Sequence, residues 1–431
     1  MNFTHLCRTQ RNNTSSKLKS NIRCAEEHTK KNGKHLSEMT ISIVAVIATF
    51  PFIHWCSHHG ARHLFLIMGF LSCIATACQV PILQYAAENW WLTVIKATAQ
   101  GMAYATDFVV MGVVCTRWAA LSEAAIFIST MSCVAPLGSV LTFAASGLIC
   151  DKIGWQWISY FHSLCTFIVF LCWAAFYTDA PQDSRFVSPE ELKVIFDGKT
   201  EAHKIRVPFV PYIAILRSKT VWTVWLNAFT ELFSAYFLII FGPSYLSRAL
   251  HYNIISVGLI MAIINAIHIP VKLSAGFLSD YIRFLTNRQK LWIFNSVALL
   301  CPAAFYLIAC FVPTDKPMIT VILFGLIMAT IGFNAGGFYK CAALISRQYA
   351  EVVISFTQFI KCAVFFIAPL LMNIFVPHEC EPAKWHTMFY LIATSMIVAN
   401  TAFLLMQLMN RVLSQKLRCQ IPPNKDMLMA N

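Results

Sequence analysis

Three ionisable side chains lie in the middle of runs otherwise fit for a lipid bilayer. Asp107 interrupts QGMAYATDFVVMGVVC, Glu231 interrupts NAFTELFSAYFLIIFG, and Lys361 stands within the apolar stretch that follows residue 351. Each is about ten or eleven residues from either end of its run, roughly 16 Å at 1.5 Å per residue. A charge at that depth costs at least about 2–3 kcal/mol on insertion scales, so it must face protein or water and find a partner. A lysine stem can snorkel to the headgroups, and Lys96, Lys272 and Lys340, within about a third of a span from an end, are read that way. The two short carboxylates have no such escape. Their chemistry is either a buried ion pair, for example Glu231 with Lys361, or a site that binds a solute or carries a coupling proton. Tyr104, Asn227, Tyr236 and Lys340 complete the candidate solute- and ion-binding set. For the tyrosines, packing with one satisfied hydroxyl is the commoner role.

The elements that must position these residues are helices that cross a membrane. Of the 431 residues 58% are hydrophobic and 12% charged, far more apolar than a soluble domain. A span needs about 20 apolar residues. On that criterion there are about eleven, near 40–56, 64–86, 92–116, 122–149, 157–177, 220–246, 254–279, 291–312, 318–345, 351–376 and 385–410. The runs are continuous rather than alternating, which excludes a closed β-barrel, so the fold class is all-α and multi-pass. The net charge of +13 sits in short segments between the runs, the pattern of cytoplasmic loops rather than of a nucleic-acid surface.

The polar stretch 178–219 divides five spans from six and is read as a cytoplasmic linker between an N-terminal bundle (40–177) and a C-terminal bundle (220–410), with a cytoplasmic tail at 411–431. The segment 1–39 is polar, and an odd number of spans puts it outside the cell or in a lumen. Its eight cations argue against that side. Sequons at Asn2, Asn12 and Asn13 argue for it. Most of the 16 cysteines sit inside apolar runs and are read as packing residues. His54, His58, His59 and His63 cluster at one turn without a carboxylate to complete a metal set, so no metal and no cofactor is expected beyond a coupling ion, sodium or a proton. No catalytic triad or nucleotide loop is present in the sequence, which argues against an enzyme.

Local motifs point to a family. GFLSDYIRFLTNRQK, through Gly276, Leu278, Asp280 and Arg283, resembles the G-x-L-x-D-x-x-R turn of the major facilitator superfamily. The matching turn of the first half, PFIHWCSHHGARH, keeps Gly60 and Arg62 but has Ser57 where the acid should be. Gly60, Arg62, Gly276, Asp280 and Arg283 are therefore the expected gating residues. QGMAYATDFVVMGVVCTRWAALSE, PLGSVLTFAASGLIC with GWQWISY, TDAPQDSRFVSPEEL and GFNAGGFYKCAALISRQYAEV are similar in order and spacing to the anion–cation symporter family of sodium–phosphate cotransporters, sialin and vesicular glutamate transporters.

The resemblance implies a two-bundle helical transporter working by alternating access on a small solute, an organic or inorganic anion coupled to a cation. It also implies twelve spans, so the chain resembles a divergent member that starts after the first, with MNFTHLC at that span's outer end. A monomer in a plasma, vesicular or lysosomal membrane is expected, with solute and lipid as its partners. The departures concern charge. Where relatives carrying organic anions place an arginine and a glutamate, this chain has Ala97 and Tyr104; a second arginine aligns with Glu231; an N-H-x-D stretch has become Cys341 to Leu344. The anion site is altered, and Glu231 inverts its sign. A membrane sensor or inactive relative that does not transport is the alternative.

Overall fold

The computed structural model describes residues 20–85, 89–120, 123–197, 212–313, 315–346, 350–377 and 379–420. The sequons at Asn2, Asn12 and Asn13 lie outside them. Among the described residues every regular element is helical: α1 Ser20–His59, α2 Arg62–Ala77, α3 Gln79–Tyr85, α4 Trp90–Tyr104, α5 Asp107–Trp118, α6 Ala124–Ser132, α7 Val134–Lys152, α8 Gln156–Phe176, α9 Pro189–Phe196, α10 Tyr212–Arg217, α11 Lys219–Ser244, α12 Ile254–Tyr281, α13 Asn287–Ala309, α14 Pro317–Ile331, α15 Phe338–Ser346, α16 Ala350–Phe375 and α17 Pro382–Gln420.

Ten stretches of this order are long and apolar enough to cross a membrane, from Met39–His59 to Pro382–Leu408. The difference from the expected eleven falls at 92–116, which the structure splits into α4 and α5, each too short alone. The split comes at Ala105 and Thr106, the two residues before the last of the stretch QGMAYATD.

Helix starts follow the local chemistry. The Ser218 side chain accepts from Val221 N at 3.5 Å to open α11, and Asn253 accepts from Ser256 N at 2.8 Å to open α12. Thr286 and Gln289 form a reciprocal capping box at α13. Large apolar side chains on outward faces remain exposed, among them Ile67, Ile74, Leu164 and Val169, as a lipid solvent allows and water would not.

The two halves are packed unequally. The C-terminal helices share one core in which Phe237, Tyr306, Trp385 and Phe389 are fully buried, with Phe237 and Phe389 edge-to-face at 6.0 Å. A smaller cluster around Ile53, Leu64, Met68 and Val113 holds the N-terminal helices. Two seams join the halves: α12 lies along α6 and α7, and α16 lies along α1 and α5. Asn227, expected at the solute site, instead belongs to the C-terminal packing. Its amide donates to the carbonyls of Thr223 and Ala399, and its Oδ1 accepts from Asn295, which also donates to Asn400 Oδ1 at 2.8 Å. A buried amide that binds α11, α13 and α17 together is fully engaged and cannot serve a solute.

Candidate functional site

Two helix breaks face each other across the centre of the molecule. In the N-terminal half, α4 ends at Tyr104 and α5 begins at Asp107. The break frees backbone groups, and Gln358 of α16 takes up two of them: its Nε2 donates to Tyr104 O at 2.6 Å and its Oε1 accepts from Phe108 N at 3.0 Å. One amide thus replaces the lost helical bonds from the opposite bundle, which a break at this depth requires. Asp107 stands in the first turn of α5, where the helix dipole favours a carboxylate.

One turn along α16, Lys361 forms an ion pair with Asp107. The lysine side chain is 2 % exposed and the carboxylate 50 %, so the pair is anchored in the C-terminal bundle and open on its acidic side. The Lys361 ammonium also lies 4.3 Å from the centre of the Tyr104 ring and 5.8 Å from that of Tyr236, within cation–π range. The expected partner of Lys361, Glu231, is not its partner.

In the C-terminal half the break is a 3-10 segment, Gly332–Gly336, between α14 and α15. Its glycines let the segment lie against neighbouring backbone: a Cβ added at Gly332 would be 3.1 Å from Lys272 N, and one at Gly337 3.0 Å from Asn295 Cα. Within this segment Asn334 donates through Nδ2 to Glu231 Oε1 at 3.0 Å. Glu231 is 5 % exposed, and its other oxygen, Oε2, has no hydrogen-bond donor, nor does Asn334 Oδ1.

Asp107 and Glu231 line one cavity of about 740 Å³, together with Lys272, His268, Tyr236, Asn334 and Tyr339. A second cavity of about 720 Å³, walled by Tyr104, Lys361 and small residues of α2 and α7, meets it at Asp107. Lys96, Lys272 and Lys340, read from the sequence as snorkelling, are all buried. Lys272 faces the first cavity and feels Glu231 through space.

Lys340 lies at neither cavity. Its ammonium contacts Asp280 Oδ1 at 2.7 Å and Ser279 O at 2.9 Å. Asp280 Oδ2 meanwhile accepts from Ile126 N, in the first turn of α6, at 2.9 Å. The acid of the second-half turn therefore joins the end of α12 to the other bundle, and Gly276 permits that approach by lying against Ser129 and the Ala125 carbonyl. Arg283 is exposed beyond it.

In the first half the missing acid is supplied from elsewhere. Asp179, just after α8, accepts from Ala61 N at 2.7 Å and Arg62 N at 3.2 Å, and Arg117 stands 4.0 Å from it. Gly60 has φ +89° and leaves no room for a Cβ beside that carboxylate. The Arg62 guanidinium donates to Ala174 O at 2.9 Å. None of these bonds reaches the C-terminal bundle.

Of the residues expected from the sequence, Asp107, Glu231, Lys361, Tyr104 and Tyr236 line the two cavities; Gln358, Asn334 and, at the first-half turn, Asp179 were not among those expected, and Lys272, read as snorkelling, is buried. The signals were faint but present: a Gln–Lys pair three apart on an apolar helix, an asparagine inside the glycine-rich GFNAGGF, and an aspartate directly after a span.

Two helical bundles, joined along two seams and broken near their midpoints around charged side chains, have the architecture of a secondary transporter. The profile of the Major Facilitator Superfamily matches residues 36–369, and the chain belongs to that superfamily. Among curated proteins it is similar to sialin of Ovis aries, 24% identical over 353 residues that cover 81% of this chain and 70% of that one. It is also similar to sodium-dependent phosphate transport protein 1 of Mus musculus, 25% identical over 331 residues, 75% of this chain and 69% of that one. These relatives agree with the resemblance to the anion–cation symporters. Among solved structures, the proton:xylose symporter XylE bound to 6-bromo-6-deoxy-D-glucose aligns with a TM-score of 0.67 at 13% identity, covering 87% of this chain and 86% of that one, which shows a shared fold. The chain is an integral, multi-pass membrane protein of a transporter family.

Proposed function

We propose that the protein carries a small solute across the membrane by alternating access, with Asp107, Lys361, Glu231 and Lys272 around the central cavity and a proton or sodium ion as coupling partner. One observation carries this reading: two carboxylates from opposite bundles, Asp107 and Glu231, line the same cavity of about 740 Å³. A cavity of that size accommodates a metabolite-sized solute. Rocking the bundles about the two seams would expose it first to one side and then to the other, with Asp280 and Lys340 closing the linker-side end.

The substrates named for sialin and for the phosphate transport proteins are anions, and Lys272 and Lys361 supply positive charge here without the planar fork of an arginine. Glu231 supports a departure from an anion-only site, because an anion seated against it would meet a carboxylate that has no cation in direct contact among the described residues. The test is uptake into proteoliposomes under imposed proton and sodium gradients. Flux above that of empty liposomes, raised by one of the gradients, is the expected result; ligand binding with no flux would support the sensor reading in its place.

A further inference from the structure

Among the described residues, the C-terminal side of the cavity holds two buried acceptors without donors and one buried cation without a contact partner. Glu231 presents Oε2 and Asn334 presents Oδ1, neither hydrogen-bonded. The Asn334 assignment follows from chemistry: its partner Glu231 Oε1 only accepts, so Nδ2 must face it and Oδ1 must face away. Leaving buried acceptors empty costs about 1–3 kcal/mol each. An ammonium, with three N–H donors, satisfies both at once.

Lys272 stands on the same wall, 5 % exposed, attracted by Glu231 but in no direct ion pair with it among the described residues. Its position is set by Gly332, whose lack of a side chain lets the Asn334 segment lie directly on the Lys272 backbone. The other charge pair behaves differently: Asp107 and Lys361 touch and neutralise each other. A plain cation in the C-terminal site would be repelled by Lys272, and a plain anion by Glu231. A neutral solute would leave both charges without a counter-charge in direct contact. A ligand bearing both signs answers all three groups, and Tyr236 and Tyr339 offer aromatic walls to the rest of it.

We infer that this site takes a zwitterion of the amino-acid kind, its ammonium held by Glu231 Oε2 and Asn334 Oδ1 and its carboxylate by Lys272. The inference rests on the transport reading above and names the solute class for the same cavity.

The test uses the full chain, purified in detergent, and matched ligand triples that differ only in charge: phenylalanine with phenethylamine and 3-phenylpropionate, leucine with isopentylamine and 4-methylpentanoate, and so through the α-amino acids. Thermal stabilisation reads binding. At least one zwitterion is expected to bind about tenfold or more tightly than both of its single-charge partners, since each removes a charged hydrogen bond. Glu231→Gln should weaken that zwitterion by about tenfold, and Lys272→Met should shift preference toward the amine. The double variant Glu231→Gln/Lys272→Met, which leaves no buried charge unpaired, checks that a loss comes from recognition and not from misfolding.

An amine or acid that binds as well as its zwitterion, or a full set of amino acids none of which binds, overturns the inference. Flux in proteoliposomes separates it from the reading beneath it. A zwitterion that binds but does not cross leaves the ligand class standing and removes transport; an amine or acid that crosses while zwitterions do not leaves transport standing and removes the ligand class.

Discussion

The break at Ala105–Thr106 and the break at Gly332–Gly336 sit in the two halves of one architecture and are completed in opposite ways. The N-terminal break is closed from across the molecule: Gln358 bridges its backbone and Lys361 pairs its carboxylate, both from α16. The C-terminal break is completed from within its own bundle by Glu231, and it leaves Glu231 Oε2 and Asn334 Oδ1 unfilled. The first is a strut between bundles and the second forms part of the cavity wall. On the reading proposed above, the chain keeps charge at mid-membrane for two separate reasons, one mechanical and one concerned with recognition.

The largest expected effect on that contrast comes from cutting the strut. Lys361→Met leaves Asp107 without its partner, and Asp107→Asn leaves a buried ammonium. Each should lower thermal stability. A double-mutant cycle should return a coupling of about 2 kcal/mol, below that of a fully buried pair because Asp107 is half in solvent. A coupling near zero would mean that the pair is incidental.

Asp280→Asn comes next. It weakens the bond to Lys340 and the cap on α6, so the linker-side seam should open more often. A cysteine placed by Ser129→Cys, where Gly276 now covers the position, should then react with an aqueous thiol reagent about tenfold faster than in the parent protein. Equal rates would remove the gate from Asp280.

Gln358→Leu removes two hydrogen bonds from the N-terminal break and should cost about 1–2 kcal/mol in thermal unfolding while leaving ligand selectivity unchanged. Changed selectivity would mean that the two breaks are not independent. The smallest effect is expected from Asp179→Asn, which loosens contacts inside the N-terminal bundle by about 1 kcal/mol or less, because Asp179 and Arg117 are partly exposed. It should not alter labelling at position 129. If it does, the first-half turn also sets the access state.

Much of this was legible in the sequence, and the exceptions share a cause. Long apolar runs with caps such as Thr286 and Asn253 announce helices because the signal is local and repeated. Asp107 and Glu231 announce themselves because a carboxylate cannot snorkel. Partners are another matter. Asp107 and Lys361 are 254 positions apart, as are Tyr104 and Gln358, and pairing at that separation is decided by how the bundles meet. Lys272 and Lys340 looked alike along the chain, yet one faces the cavity and the other closes the seam, because α12 and α15 present them in different directions. Asn227 looked like a solute ligand beside Glu231, but one turn away on the same helix face it meets Asn295 and the Ala399 carbonyl instead of the cavity. The break at Ala105 and Thr106 has no glycine or proline within three residues to mark it, whereas that in GFNAGGF does.

The most direct test of the central claim is counterflow of a bound solute in proteoliposomes, comparing the parent protein with Glu231→Gln at matched protein content across a range of pH. Robust flux is expected for the parent and, for the variant, flux reduced about tenfold or no longer responsive to pH. Unchanged flux at every pH would contradict it, because the carboxylate that faces the cavity would then take no part in what passes through.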